Sequence, residues 1–244
     1  MAKRWTIRED LIVCNFCYDN DLIYYSPDLV DELVSILNKE GFDSRSWTAV
    51  QKRARTYVLW QYNSESTCAP KQVKSVYKFV FNKNNASESY QAMQSFISKV
   101  TTNTNFAFNN YTPLNDVAAY TAPPIFDRDD LGPSFKDLLA KKIEDRGLKA
   151  GKAAAKCDLQ SYIFSDIKHD RIKKLDRVII MKICLGLHLG YQESVELLQS
   201  AGCTFDNSLF DAIIQWYLHQ EDYELEEVDI ALEANKLDCI FSCE

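Results

Sequence analysis

The sequence is short of the residues on which most catalytic sites are built. Its seven glycines are scattered through 244 residues, which excludes a glycine-rich loop that cradles phosphate. None of the patterns GxxxxGK, GxGxxG, HExxH or GxSxG occurs. Histidine is equally sparse, with only His169, His188 and His219. No apolar run approaches the roughly 18–20 residues that span a bilayer. Met1-Ala2-Lys3-Arg4-Trp5 leads into charged sequence without the apolar stretch of a secretory signal. The expectation is a soluble, cytoplasmic, non-enzymatic protein with no membrane attachment, no metal and no small-molecule cofactor.

Eight cysteines are present, but a chain of this size without an export signal is not expected to use them as a disulfide framework. Cys14 and Cys17 form a CxxC inside the apolar stretch Leu11-Ile12-Val13-Cys14-Asn15-Phe16-Cys17-Tyr18. A zinc site usually adds a second close Cys/His pair. Cys68 stands alone, and Cys239 and Cys243 have no partner pair nearby. The cysteines read as buried free thiols, with zinc the alternative.

What the sequence does have is length enough for two domains and a strongly uneven charge. The formal net charge is −7. From 136 to 182 there are thirteen Lys/Arg against seven Asp/Glu, and from 183 to 244 thirteen acids against one base, Lys236. A second basic stretch, 45–83, holds eight bases and one acid, Glu65. The bulk charge repels nucleic acid, so any such binding has to come from local basic faces. The plainer reading is that these runs are solvated helix faces. The same holds for the acids of 221–229.

Residues 5–60 read as three short helices. Thr6 with Glu9 has capping-box spacing, and Ile7, Leu11, Cys14 and Tyr18 recur at helical intervals. Ser26-Pro27 opens the second helix with Pro27 at its first position. Leu29, Leu33, Ile36 and Leu37 form its stripe, and Gly41 follows its end. The third carries Trp47, Val50, Ala54, Tyr57 and Val58 on one face. Over 61–82 periodicity does not decide between helix and strand. A short helix is expected over 87–100, then an irregular connector over 101–133 rich in Asn, Thr and Pro. Five aromatics there (Phe106, Phe108, Tyr111, Tyr120, Phe126) point to packing. Ser134 caps a helix over 135–146 ended by Gly147. Further helices are expected over 149–156, 160–168, 174–187, 192–200, 208–220 and 225–234. The fold class is mainly α, two small helix-turn-helix-like bundles (1–82 and 134–244) joined by a polar linker (83–133).

Two resemblances bear on function. The N-terminal segment resembles a Myb/SANT-type three-helix module through Trp5, Glu9 and Asp10 and through Arg45-Ser46-Trp47-Thr48-Ala49-Val50-Gln51-Lys52-Arg53. More narrowly, it is similar to a WT-x-E-E/D-L … RS-x-x-AV segment found ahead of nuclease domains in bacterial HNH-type proteins. The nuclease does not come with it, since HNH chemistry needs a metal-liganding His/Asn set and a His base. The C-terminal segment, with Gly147-Leu148-Lys149, Ala153-Ala154, Lys156 and Leu159-Gln160-Ser161-Tyr162-Ile163-Phe164-Ser165-Asp166-Ile167-Lys168, resembles the XRE, or lambda-repressor-like, helix-turn-helix. In that family the first and fourth helices brace the second and third, and the third lies in the major groove. Leu197-Leu198-Gln199-Ser200-Ala201-Gly202, Phe210-Asp211-Ala212-Ile213-Ile214 and 227–232 are similar to a bacterial LL-x-x-AG … FD-x-I-I extension of that core. Asp229 stands where the pattern has Asn. The extension implies a setting in a bacterial mobile-element or phage-defence locus.

These resemblances select the candidate nucleic-acid contacts. Short polar or basic side chains read base edges while neighbouring cations clamp phosphate. On the C-terminal module the candidates are Gln160, Ser161, Tyr162, Ser165 and Lys168. Lys152, Lys156, Arg171, Lys173 and Lys174 are placed for phosphate. Asp158, Asp166 and Asp170 are expected to face the same groove and oppose it. The third N-terminal helix offers Arg45, Lys52, Arg53 and Arg55, expected to be exposed with no acidic neighbour, whereas Trp47 and Trp60 read as core. The expected function is a regulator that binds double-stranded DNA. The alternative is a non-catalytic adaptor that docks a protein partner, or self-associates through its acidic end and the basic stretch 136–182.

Overall fold

The structure, a computed structural model, describes residues 4–20, 26–62, 70–102, 133–172, 175–220 and 222–241. The connector expected over 101–133 falls almost wholly outside them, as do Cys68, Lys173, Lys174 and Cys243 and the side chain of Trp60. The described residues form twelve α-helices and no strand, the mainly α class expected. No helix among them is long and apolar enough to cross a membrane. The chain divides into two compact units, Met1–Met93 with Glu224–Glu244, and Gln94–Tyr223.

In the first unit, α1 (Ile7–Asp19) starts at the Thr6/Glu9 capping box. Next comes α2 (Pro27–Lys39), with Pro27 in its first turn, where the missing N–H is not needed. It is followed by α3 (Trp47–Tyr62) and α4 (Lys71–Asn84). Of the ambiguous stretch 61–82 the described part from 71 on is helix: Val73, Val76 and Val80 are all buried, spaced by three and four, while 63–69 lie outside the described residues. The core joins them to Ile7, Leu11 and Cys14 of α1, Leu33 and Leu37 of α2, and Val50, Ala54 and Tyr57 of α3. Cys14 and Cys17 are both buried. Burial pushes both thiols up, Cys17 to about 12, so neither ionises near neutrality.

The last helix of the chain, α12 (Leu225–Ala234), also belongs here and packs on α1 and α4. The division expected from the sequence, with 134–244 as one module, puts 225–234 with the C-terminal helices instead. The apolar stripe of α12 was legible, but periodicity does not say which neighbour covers it. Ile230 enters the first unit's core, a burial worth roughly 1.5–3 kcal/mol. Around it Lys71 pairs with Glu224 and Glu226 at 3.0 and 3.2 Å, and Lys78 with Glu227 at 2.7 Å. Such exposed pairs are each worth at most about 1 kcal/mol, so the apolar stripe holds the helix and the charges orient it. The Asp229 carboxylate then accepts the N–H groups of Ile240 and Phe241 at 2.7 and 3.2 Å.

The boundary between the units falls inside α5 (Glu88–Thr102). The second unit then holds α6 (Phe135–Asp145), α7 (Ala150–Lys156), α8 (Ser161–Lys168), α9 (Arg177–Gly186), α10 (Tyr191–Ser200) and α11 (Leu209–Leu218). Ser134 caps α6 as expected, accepting the Asp137 N–H. The central helix is α9, whose Ile180, Met181, Ile183, Cys184 and Leu185 have no exposed surface. It begins three residues later than the periodicity implies, because Asp176 accepts the Val178 N–H at 2.7 Å and so sets the cap. Packed against α9 are α7, α10 and α11. A Cβ at Gly186 would lie 2.5 Å from the Cys157 Cα and 2.6 Å from the Lys156 carbonyl oxygen. Only glycine lets the end of α9 approach the end of α7 that closely.

Candidate nucleic-acid interface

Two of the four N-terminal candidates are not surface cations. Arg45 meets the fully buried Glu9 through two hydrogen bonds, Nε to Oε1 at 2.6 Å and Nη2 to Oε2 at 2.7 Å. Arg53 grips the equally buried Asp10, with Nε 2.6 Å from Oδ1 and Nη2 on Oδ2. Both guanidinium groups lie over the Trp5 ring, 4.4 and 5.5 Å from its centroid. Gln72 adds a 2.6 Å hydrogen bond to Asp10. Burial alone would raise the Glu9 carboxyl. The Arg45 hydrogen bond and the Thr6 N–H outweigh it and hold the group below its ordinary value. The expectation that the third helix presents Arg45 and Arg53 free of acids is therefore corrected. The acidic first turn of α1 lies against that helix, and a buried carboxylate requires a cation and hydrogen bonds. Lys52 and Arg55 are exposed and carry no ion-pair partner among the described residues. Three positions apart, they share one face of α3.

The C-terminal candidates stand differently. Lys152 and Lys156 on α7, Gln160 before α8, Ser161, Tyr162, Ser165 and Lys168 on α8, and Arg171 beyond it are all exposed. The same two helices turn Ala153, Ala154, Phe164 and Ile167 inward, and α7 packs directly on α8. Positions 161, 165 and 168 thus share one outward stripe of α8 while 164 and 167 anchor it. Tyr162 is 61% exposed, the most exposed large apolar side chain described. Between the helices Asp158 takes a left-handed conformation, φ 51°, which makes the sharp turn.

The three carboxylates expected to oppose phosphate are each held by a cation. Asp158 pairs with Lys182 at 3.0 Å, Asp166 with Arg171 at 3.2 Å, and Asp170 with Lys136. Arg171 is thereby committed, although its side chain is exposed. Two of these partners lie 24 and 34 residues away in sequence, beyond any helical-spacing rule.

The distribution of uncommitted charge follows. Of the eleven described bases between 136 and 182, six are in ion pairs: Lys136, Lys142, Arg146, Arg171, Arg177 and Lys182. The other five are Lys141, Lys149, Lys152, Lys156 and Lys168. Four of the five lie on or beside α7 and α8. Among the described residues no group of three His, Cys, Asp or Glu side chains is arranged to hold a metal. No protein-family model, curated protein or solved structure matches this chain.

Proposed function

We propose that the protein is a non-enzymatic, cytoplasmic DNA-binding regulator whose contact surface is the α7–α8 pair, α8 entering the major groove of duplex DNA. The observation that carries this reading is the clustering of lysines that have no ion-pair partner among the described residues around the exposed Gln160, Ser161, Tyr162 and Ser165. Phosphate contacts dominate affinity and base contacts set specificity. Lys149, Lys152, Lys156 and Lys168 supply the first, with the local carboxylates already neutralised. Gln160 at the start of α8 is the residue for bidentate pairing with adenine. The likeness of this segment to XRE-type modules supports the same docking, and the setting in a bacterial mobile-element or defence locus rests on that likeness alone. Lys52 and Arg55 add at most a weak second phosphate contact.

The test is duplex binding measured across a salt series. Four phosphate contacts give a slope of log K against log salt of about −3.6. Lys152→Gln with Lys156→Gln should bring the slope to about −1.8 and weaken binding to every sequence alike. Gln160→Ala should erode discrimination between sequences by about 1–3 kcal/mol. If wild-type protein binds no duplex at low salt, the reading fails, and the helical faces become docking surfaces of an adaptor.

A further inference from the structure

We infer that the second unit holds a binding site for a small amphipathic anion, an apolar body bearing one carboxylate or sulfonate, in a groove of about 520 Å³ between α6 and α8. That volume suits a drug-sized ligand. The floor is Leu139 of α6 with Phe164 and Ile167 of α8, and Ile143 and Leu148 flank it. With aliphatic and aromatic side chains on both sides, the groove takes an apolar body.

The charges at its mouth select the sign of the head group. Lys136 is committed to Asp170, and Asp137 accepts the Ser134 hydroxyl at 2.6 Å. The Lys136–Asp170 pair fixes the start of α6 beside the end of α8, so Lys168 stands at that end of the groove. Glu144 lies eight residues further along α6, about 12 Å away at 1.5 Å per residue. Lys168 has no ion-pair partner among the described residues, while of the described carboxylates at its end Asp170 is paired with Lys136 and Asp137 is hydrogen-bonded to the Ser134 hydroxyl. An anionic head group therefore sits at Lys168, with its tail running over Leu139 and Ile143 towards Leu148. Lys168 also belongs to the outward stripe of α8. On the DNA-binding reading proposed above, an occupied groove withdraws that cation from phosphate and weakens duplex binding. This regulatory consequence rests on that reading, whereas binding of the anion does not.

The experiment titrates the full chain calorimetrically with decanoate, decanol and decylammonium below their aggregation concentrations. One decanoate should bind per chain. Decanol should bind about three- to tenfold more weakly, the range for losing one charge-assisted contact at a partly exposed site. Lys168→Gln should lower decanoate affinity to that of decanol. Ile143→Trp should fill the groove and abolish binding. Ala140→Phe, at an exposed position on the rim, makes the same test without touching the core if Ile143→Trp does not fold. Absent decanoate binding, equal binding by a folded blocked variant, or equal affinity for decylammonium each overturns the site. In parallel, decanoate should weaken duplex binding at least threefold in the wild type and leave the blocked variant unaffected. Decanoate binding without any duplex binding retires the DNA reading and keeps the groove; duplex binding without decanoate binding does the reverse.

Discussion

Arg53→Gln and Arg55→Gln, two substitutions on one helix, should differ several-fold in their cost to stability. The Arg53 side chain is 12% exposed and its partner Asp10 not at all. Removing the guanidinium strands a buried carboxylate, a change that typically costs about 3–5 kcal/mol. Gln72 keeps its 2.6 Å hydrogen bond to Asp10, which places the loss at the lower end, about 3 kcal/mol. Arg55 is exposed and has no ion-pair partner among the described residues, so its loss should stay within about 0.5 kcal/mol. With a urea dependence of about 1.5–2 kcal/mol per M for a unit of this size, 3 kcal/mol moves the midpoint by roughly 1.5–2 M. The assay is tryptophan fluorescence during urea unfolding in a Trp216→Phe background, where the remaining Trp5, Trp47 and Trp60 all belong to the first unit. Asp10→Asn combined with Arg53→Gln should recover part of the loss, because no buried charge is left without a partner. Equal midpoints for the two single variants, with equally weakened duplex binding, would refute the reasoning and return Arg53 to the nucleic-acid surface.

Two further outcomes concern the second unit. Hydrogen bonds from Lys142, Arg146 and the Gly190 N–H hold the Glu193 carboxyl at about 2 against an ordinary 4.5, outweighing the burial that would raise it. Because the folded value lies below the unfolded one, this stabilisation is present above pH 4.5 and is lost as pH falls towards 2. The side chain is 34% exposed, so after solvent screening Glu193→Gln should cost only about 1 kcal/mol at pH 7, a difference that disappears in melts below about pH 2. Gly186→Ala drives a methyl into the backbone of Cys157 and Lys156 and should cost about 1–3 kcal/mol, read as a lowered thermal midpoint; an unchanged midpoint would mean that α7 shifts freely.

The features legible in the sequence were those that depend on neighbours within one or two turns. The Thr6/Glu9 box, the Ser134 cap and Pro27 in the first turn of α2 are short-range signals, and each helix start lies where its signal stands. Gly41 and Gly147, at φ 87° and 60°, follow helix ends that only glycine takes without strain. The apolar stripes of α7 and α8 likewise settle which side chains face outward, so their candidate residues are all exposed. Periodicity left 61–82 open between helix and strand because Val73, Val76, Phe79, Val80 and Phe81 serve either pattern over so short a run. It gave α12 a buried face but no address, since α1 and α4 lie about 150–220 residues earlier in the chain.

Charge is the property that a linear reading misjudges most, and the two basic stretches show why. Counted along the sequence, 45–83 is the cleaner of the two, with a single acid. In the folded first unit Arg45 and Arg53 neutralise the buried first turn of α1, and Lys71 and Lys78 meet the acids of α12. The stretch 136–182 has seven acids interleaved with its thirteen bases and therefore reads as basic but less clean. Yet Asp158, Asp166 and Asp170 are held by Lys182, Arg171 and Lys136, and the lysines on and beside α7 and α8 are left over. A phosphate backbone senses only charge that is both exposed and uncommitted. Ion pairs between residues tens of positions apart decide which charges those are. The stretch 136–182, less clean in the linear count, is for that reason the better candidate surface, and the salt slope of binding is the quantity that counts those lysines directly.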